Sequence, residues 1–394
     1  MTVADLQIDP AIRGRLAQGH PWIYRNHVRG GQELRSGQWV RVRAGSLVAY
    51  GLWDAQSAIA VRLFSSKAVP DQAWFAERVW EAWELRATLR QSGSTSAYRW
   101  IYGEGDGIPG LVVDRYGDYA VIQSYAESLK VVIPLIVPAL RACDHDLRGI
   151  LLREYDEHEG EGARRTRILW GEAPPEDLVV QEHGLYLQAN LSHGQKTGLF
   201  LDQRENRRST EALAGGCSVL NCFAYTGAFS LYALRGGATQ VISADIGRGL
   251  AEAAATNLTL NRFDASRHRF VTEDCFPLLE RYSRMGQRFQ MIILDPPSFA
   301  RQKRSMHAAL RAYTRLNALA LGCIEPGGLL ISASCTSQVS PEQFRSMLAD
   351  AASQSEMRLQ IIHEAGQPVD HPVPVGFPEG RYLKFVVARA LASL

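Results

Sequence analysis

The first 67 residues hold short runs in which β-branched and aromatic residues alternate with polar ones, each run broken by glycine or serine: QWVRVR, SLVAYGLW and AIAVRLF. A period of two predicts half-buried strands, so residues 1–67 are expected to form a small β-rich module, followed by the linker SSKAVPDQ. The period then changes. From about Gln72 to Arg90, Phe75, Val79, Ala82 and Leu89 recur at helical spacing and predict one helix. Next, GIPGLVVDRYGDYAVIQSY reads as two strands joined at Tyr116-Gly117-Asp118, and Val131 to Ala142 as a further apolar helix. This second block, 72–185, is α+β and runs out near the Pro-rich GEAPPEDL.

From 186 to 394 strand and helix alternate. Strands are expected at SVLNCF, QVISAD, HRFVTED, QMIILD, GLLISAS, LQIIHE and YLKFVVA. Alternation of this kind implies a parallel sheet covered on both faces. Between the last two runs lies only the Pro/Gly-rich AGQPVDHPVPVGFPEG, too poor in helix formers for a crossover, so these two are expected to pair antiparallel at the sheet edge.

Ligands of open α/β sheets bind beyond the carboxyl ends of the strands, where the strand order reverses. What each strand carries to that end is therefore informative. The first delivers NCFAYTGAFS: Asn221, a turn through Phe223, Tyr225, Thr226 and Gly227, then a helix whose unpaired N–H groups suit a carboxylate. Only one glycine is present, and Phe223 and Tyr225 stand where a diphosphate needs bare backbone, which argues against a nicotinamide dinucleotide. The second strand ends at Asp245, spaced from Gly227 as a ribose-gripping carboxylate would be. The third ends at Asp274, placed to meet a base edge, and the fourth at Asp295 in LDPPS. The prolines force the chain out of the sheet there. A nucleoside joined to an amino acid fits the set, and S-adenosylmethionine (SAM) has that shape. Each carboxylate taken singly also reads as a strand-end turn former.

Composition narrows the class. The 394 residues are 46% hydrophobic and 21% charged, with a net charge of +2, as in a soluble globular protein of two or three domains. No apolar run approaches the ~20 residues that span a bilayer, and MTVADLQIDP lacks the pattern of a secretion signal, so a cytoplasmic address is expected. Six cysteines, at 143, 217, 222, 275, 323 and 335, form no CxxC pair and no zinc-type cluster, so reduced thiols and no metal are expected. Charge is uneven: residues 1–45 hold seven arginines, Arg13, Arg15 and Arg25 among them, against three acids. Guanidinium groups suit phosphate, and so do the runs RENRR (204–208) and RQKR (Arg301, Gln302, Lys303, Arg304), although each also reads as a solvated face.

Five stretches carry a resemblance: GQKTGLFLDQRENR, VLNCFAYTGAFSLYA, ILDPPSFARQK, SASCTSQVSPEQF and DHPVPVGFPEGRYLK. Together they resemble the bacterial large-subunit (23S) ribosomal RNA cytosine-C5 methyltransferases with an N-terminal PUA domain. GHPWIYRNHV is similar to the start of the PUA module, and GIPGLVVDRYGDYAVIQ to the central domain. The resemblance implies an RNA-binding β-barrel at 1–67, a central α+β domain at 72–185, and a class I SAM-dependent methyltransferase domain with a Rossmann-like seven-stranded sheet at 186–394. It places Phe200, Leu201, Asp202, Gln203 and Arg204 beside the SAM pocket. It implies methylation of C5 of a cytosine in 23S rRNA, in a single-stranded or loop region, and a possible homodimer.

That chemistry explains a cysteine in GGLLISASCTSQVS. Cytosine C5 is a poor nucleophile until a thiolate adds to C6, and Cys335 alone among the six follows a strand adjoining the Asp-Pro-Pro strand. Cys335 is the expected nucleophile, beside a cationic or dipolar neighbour that the sequence leaves unnamed. Asp295 is a candidate for gripping the N3/N4 edge of the cytosine or for orienting the amino-acid end of SAM. The Asp-Pro motif holds no second thiol, which leaves the base for the C5 proton unassigned. Two other readings stand: an exocyclic-amine methyltransferase using DPPS without a thiol, and a non-catalytic rRNA-binding or assembly protein.

Overall fold

The period-two runs of the first block do form strands. The computed structural model describes residues 3–155, 164–192, 197–299 and 306–393. By compactness the chain falls into two units: 1–181 with 189–201 and 369–380, and 182–188 with 202–368 and 381–394.

In the first unit, β1 (Ala4–Ile8), helix α1 (Arg13–Ala17), β2 (Trp22–Tyr24), β3 (Val28–Arg29), β4 (Trp39–Ala44), β5 (Leu47–Trp53) and β6 (Ile59–Ser65) build a six-stranded sheet of order β2-β6-β5-β4-β1-β3. Alternate residues Val40, Val42 and Ala44 of β4 face inward with Leu6, Ile8, Ile23 and Val61, and the intervening Arg41 and Arg43 face out, where both meet Asp5. Gly51 is required where β5 passes β6, since a Cβ there would lie 2.4 Å from the Arg62 carbonyl oxygen.

The predicted helix after the linker is broken. α2 (Gln72–Leu85), capped by the Asp71 side chain, buries Phe75, Val79 and Ala82, and α3 (Ala87–Gln91) follows after Arg86. Arg86 is fully buried and saturates the break: it donates to Asp106 with both terminal nitrogens (2.6 and 2.8 Å) and to the carbonyls of Arg99 (2.9 Å) and Asp370 (2.7 Å). A guanidinium ordering four acceptors outweighs one lost helical bond. Helical periodicity alone carries no sign of that break.

β7 (Ala97–Tyr102), β8 (Leu111–Tyr116), β9 (Tyr119–Ser124), α4 (Ile133–Cys143), β10 (Gly149–Tyr155) and β11 (Arg164–Gly171) complete this unit's second sheet, order β11-β10-β9-β8-β7. β9 and β10 are parallel, joined through α4. Segment 369–380, which the sequence pattern placed with the last block, belongs here. Asp370 accepts from the Arg99 N–H at 2.9 Å, and the Gly380 carbonyl accepts from Tyr102 Oη at 3.1 Å. Polar groups taken from water need such partners, and they tie this Pro-rich stretch down.

The chain continues through β12 (Val179–Glu182) and β13 (Leu185–Gln188), a two-stranded ribbon, into the second unit. There follow α5 (Arg204–Glu211), β14 (Ser218–Cys222), α6 (Ala228–Arg235), β15 (Gln240–Asp245), α7 (Leu250–Leu260), β16 (His268–Thr272), α8 (Cys275–Arg284), β17 (Phe289–Leu294), α9 (Met306–Leu321), β18 (Ile324–Ser334), α10 (Pro341–Gln354), β19 (Met357–Ala365) and β20 (Lys384–Ala392). All seven strands read from the sequence are present. Their order is β16-β15-β14-β17-β18-β20-β19, parallel except β20. β20 is antiparallel to both neighbours and lies inside β19, so of these two strands β19 is the edge. Leu220, Ile292, Leu294, Leu330 and Val386 bury one face against Leu278, Leu316, Phe344 and Leu348 of the helices. Each such side chain contributes about 1.5–3 kcal/mol, which holds the strand tips rigid. The strand order reverses between β14 and β17, so the crevice lies beyond Cys222 and Leu294.

Candidate active site

The turn after β14 is strained. Phe223 (φ 60°) and Tyr225 (φ 49°) adopt left-handed backbone without being glycine, and Gly227 (φ 83°) follows. Such residues cost about 1–2 kcal/mol each and persist only where surroundings impose them. Here the Phe223 N–H donates to Cys275 Sγ (3.3 Å) and the Tyr225 N–H to Asp245 Oδ2 (3.0 Å). The Gly247 N–H donates to Asp245 Oδ1 at 3.0 Å. The Asp245 carboxylate is thus fixed at the tip of β15 by two backbone donors, with acceptor capacity left on each oxygen.

Gly227 opens α6 without a side-chain cap, and the buried Thr226 hydroxyl finds no hydrogen-bond partner among the described residues. An uncapped helix start, an orphaned buried hydroxyl and a fixed carboxylate on the next strand fit an amino-acid carboxylate and a ribose, the two ends of SAM. Asp274 is exposed and caps α8 by accepting from the Phe276 N–H at 2.8 Å. Asn221 is buried: its Nδ2 donates to Ser230 Oγ (2.9 Å), which meets Ser243 Oγ (2.7 Å), so it supports the turn from beneath, and its Oδ1, like the Thr226 hydroxyl, finds no hydrogen-bond partner among the described residues.

Asp295, half-buried, follows β17 directly. Gln203 Nε2 donates to its Oδ1 at 2.9 Å, and Asn206 Nδ2 donates to Gln203 Oε1 at 2.6 Å. Asp202, also buried, accepts from the Tyr382 hydroxyl at 2.5 Å. The motif FLDQR thus supplies an anchor for Asp295 and one for β20. Phe200 lies in segment 189–201 and belongs to the first unit. Arg204 is fully buried against Glu205 at 3.0 Å.

Cys335 follows β18, half-buried, within a cluster of hydroxyls. Thr336 Oγ1 meets Ser298 Oγ at 3.0 Å and Tyr313 Oη at 2.8 Å, and Ser334 Oγ donates to Tyr313 Oη at 3.0 Å. Burial raises the Tyr313 pKa, with smaller contributions from the charges of Cys335 and Asp295, so α9 places this phenol near both. Across the sheet Ser334 pairs with Lys384. The buried Lys384 ammonium donates to the carbonyls of Thr336 (2.6 Å) and Tyr382 (2.8 Å). A cation therefore braces the turn that carries Cys335. Its one signal was a lysine opening the apolar run KFVVA.

The basic residues divide. Arg13 is exposed and donates to Ser46 Oγ at 2.7 Å. Arg15 pairs with Glu379 and lies 2.6 Å from His20 Nε2. Arg25 does not present a free guanidinium: it packs 5.1 Å over the Trp53 ring and donates to the carbonyls of Asp54 and Ser57, holding the 54–58 loop. RENRR is no phosphate track either. Arg207 makes a buried bidentate pair with Glu182 (2.7 and 2.6 Å), and only Arg208 of its arginines is exposed. Arg301, Lys303 and Arg304 lie outside the described residues.

Residues 157–373 match the family of S-adenosylmethionine-dependent methyltransferases, and residues 6–66 the PUA-like domain. Ribosomal RNA large subunit methyltransferase I of Aliivibrio fischeri is 36% identical over 97% of this chain and 97% of its own. The same-named protein of Erwinia tasmaniensis is 35% identical over 95% and 96%. Among solved structures, SMU.776 complexed with SAH superposes with a TM-score of 0.87 at 24% identity, over 98% of this chain and 100% of that one, a likeness of fold. Among the described residues no helix is long and apolar enough to cross a membrane. A strand-end set that fits SAM, a PUA-like first block and full-length relatives agree: the chain is a SAM-dependent methyltransferase and belongs to the family of ribosomal RNA large subunit methyltransferase I.

Proposed function

We propose that this enzyme forms 5-methylcytosine in large-subunit ribosomal RNA in the cytoplasm, with Cys335 as nucleophile. The observation that carries the reading is the half-buried thiol at the end of β18, beside a buried lysine and next to the strand that ends in Asp295. Asp245, the uncapped start of α6 and Thr226 would hold SAM, which when bound supplies an electrophilic methyl group. Asp274 would meet the adenine.

The protein's own groups do the rest. The Cys335 thiolate adds to C6 of the cytosine. The C5–C6 π pair shifts to C4–C5 and the C4–N3 pair to N3, leaving an enamine whose C5 is nucleophilic towards the methyl. Asp295, braced by Gln203, grips the N3/N4 edge. Once C5 carries the methyl group, a water or Asp295 takes the C5 proton, whose electron pair re-forms the C5–C6 bond and expels the thiolate. The target base must first leave its stack, at a cost of a few kcal/mol that is least in loops and single strands. The exposed Arg13, Arg29 and Arg35 of the PUA-like block are suited to the phosphates.

The test is to map methylated bases in undermodified 23S rRNA treated with the wild type and with Cys335→Ala. The expectation is 5-methylcytosine at a discrete site, lost by about a thousandfold or more in the variant. Retention of most activity would mean transfer to an exocyclic amine, and no incorporation by the wild type would leave a binding role.

A further inference from the structure

A buried ammonium is expensive unless something takes its protons. Lys384 sits at the first position of β20, and its side chain is buried. Two of its three N–H donors go to the carbonyls of Thr336 and Tyr382. No carboxylate pairs with it among the described ion pairs. Tyr382 is itself held by Asp202, so the lysine's support runs back to the FLDQR motif.

Among the described residues, the charged and titratable groups that face the Cys335 turn include Asp295 after β17, Tyr313 from α9 and Lys384 from β20. Asp295 is acidic and opposes a thiolate, and the Tyr313 phenol is held neutral by burial. Among the described residues, Lys384 is the one of these three that carries positive charge. Burial pushes its pKa down to about 8 while the sulfur of Cys335 pulls the other way, which places the two within electrostatic reach.

We propose that Lys384 is the positioning residue of the nucleophile: braced on two carbonyls, it fixes the turn that carries Cys335, and its charge stabilises the thiolate. This rests on the reading of Cys335 as the nucleophile. The lysine is one residue in two roles. Its hydrogen bond to the Thr336 carbonyl aims the sulfur. Its charge sets the fraction of sulfur ionised at neutral pH.

The experiment follows alkylation of Cys335 by iodoacetamide against pH in the full chain without RNA, read on the Cys335 peptide by mass spectrometry. It compares the wild type, Lys384→Gln and Lys384→Arg. Glutamine keeps a donor for the carbonyl and removes the charge, and arginine keeps the charge. The Gln variant should be alkylated about tenfold more slowly at pH 7, with its pH profile displaced upward, and the Arg variant should stay within about threefold of wild type. A Gln profile that overlays the wild type, or an Arg variant as slow as Gln, overturns the proposal. The wild type provides a check that needs no variant: a profile at or above that of a free cysteine peptide overturns it too. Alkylation requires no methyl transfer. Failure of the nucleophile reading would appear separately, as methylation that survives Cys335→Ala.

Discussion

The carboxamide of Gln203 donates to Asp295 at 2.9 Å and is itself held by Asn206 at 2.6 Å, so a buried amide sets the orientation of the acid at the tip of β17. A hydrogen bond to a charged group contributes about 1.5–3 kcal/mol. Gln203→Ala should therefore lower kcat/KM for RNA about ten- to a hundredfold while calorimetric SAM affinity moves little. Equal losses in both would show that Gln203 contacts the cofactor directly, as its motif implies.

Asp245 accepts from the Tyr225 and Gly247 N–H groups, and in the proposed site its remaining capacity would meet the ribose. Asp245→Ala removes the ligand contact and leaves two backbone donors unpaired. SAM should bind at least about tenfold more weakly, at about 1.5 kcal/mol or more per charge-assisted bond. Unchanged affinity in a titration would put the ribose elsewhere.

Arg207 and Glu182 form a buried pair whose side chains are only 4% and 0% exposed. Truncating one partner strands the other charge, at about 3–5 kcal/mol. Arg207→Met should lower the denaturant midpoint accordingly, and the double variant with Glu182→Gln should recover part of the loss. Arg208→Ala, at the exposed position, should leave stability within about 0.5 kcal/mol. A stable Arg207→Met with weakened RNA binding would restore the phosphate-track reading of RENRR.

His268 lies 2.7 Å from Ser243 Oγ, and burial pushes its pKa from 6.5 down to about 4. Between those values the unfolded chain binds a proton that the folded chain refuses. Stability should therefore fall as pH drops from about 6.5 towards 4, by at most about 3 kcal/mol from this residue. His268→Gln should flatten that part of the profile. Urea midpoints at pH 7 and pH 5 measure it, and equal losses in wild type and variant would assign the acid sensitivity elsewhere.

Much of the candidate site was legible because strand ends are local events. An apolar run followed by Asp-Pro-Pro, or by Ser-Cys-Thr, announces where a strand stops and what stands at its tip. Asp245, Asp295 and Cys335 each stand at such an end. Legibility failed where a residue's role depends on a partner far away in sequence. RENRR reads as a solvated basic run because nothing local says that Glu182 awaits Arg207. Arg25 reads as a phosphate ligand until the 54–58 carbonyls are seen around it. The left-handed backbone of Phe223 and Tyr225 was hidden for a related reason: no glycine marks it, and distant acceptors, Cys275 and Asp245, impose it.

The sequence by itself determined the seven strands of the methyltransferase sheet, three of the six strands in the block before them, and which residues stand at each strand tip, since periodicity and breakers act over a few residues. Only the tertiary structure decided that β20 slots inside β19, so that its first residue, Lys384, falls opposite Ser334 and reaches the turn of Cys335. It also decided that segment 369–380 packs with the first unit. Register between distant strands is set by burial and hydrogen bonding summed over the whole sheet, and no local window of the chain contains that sum.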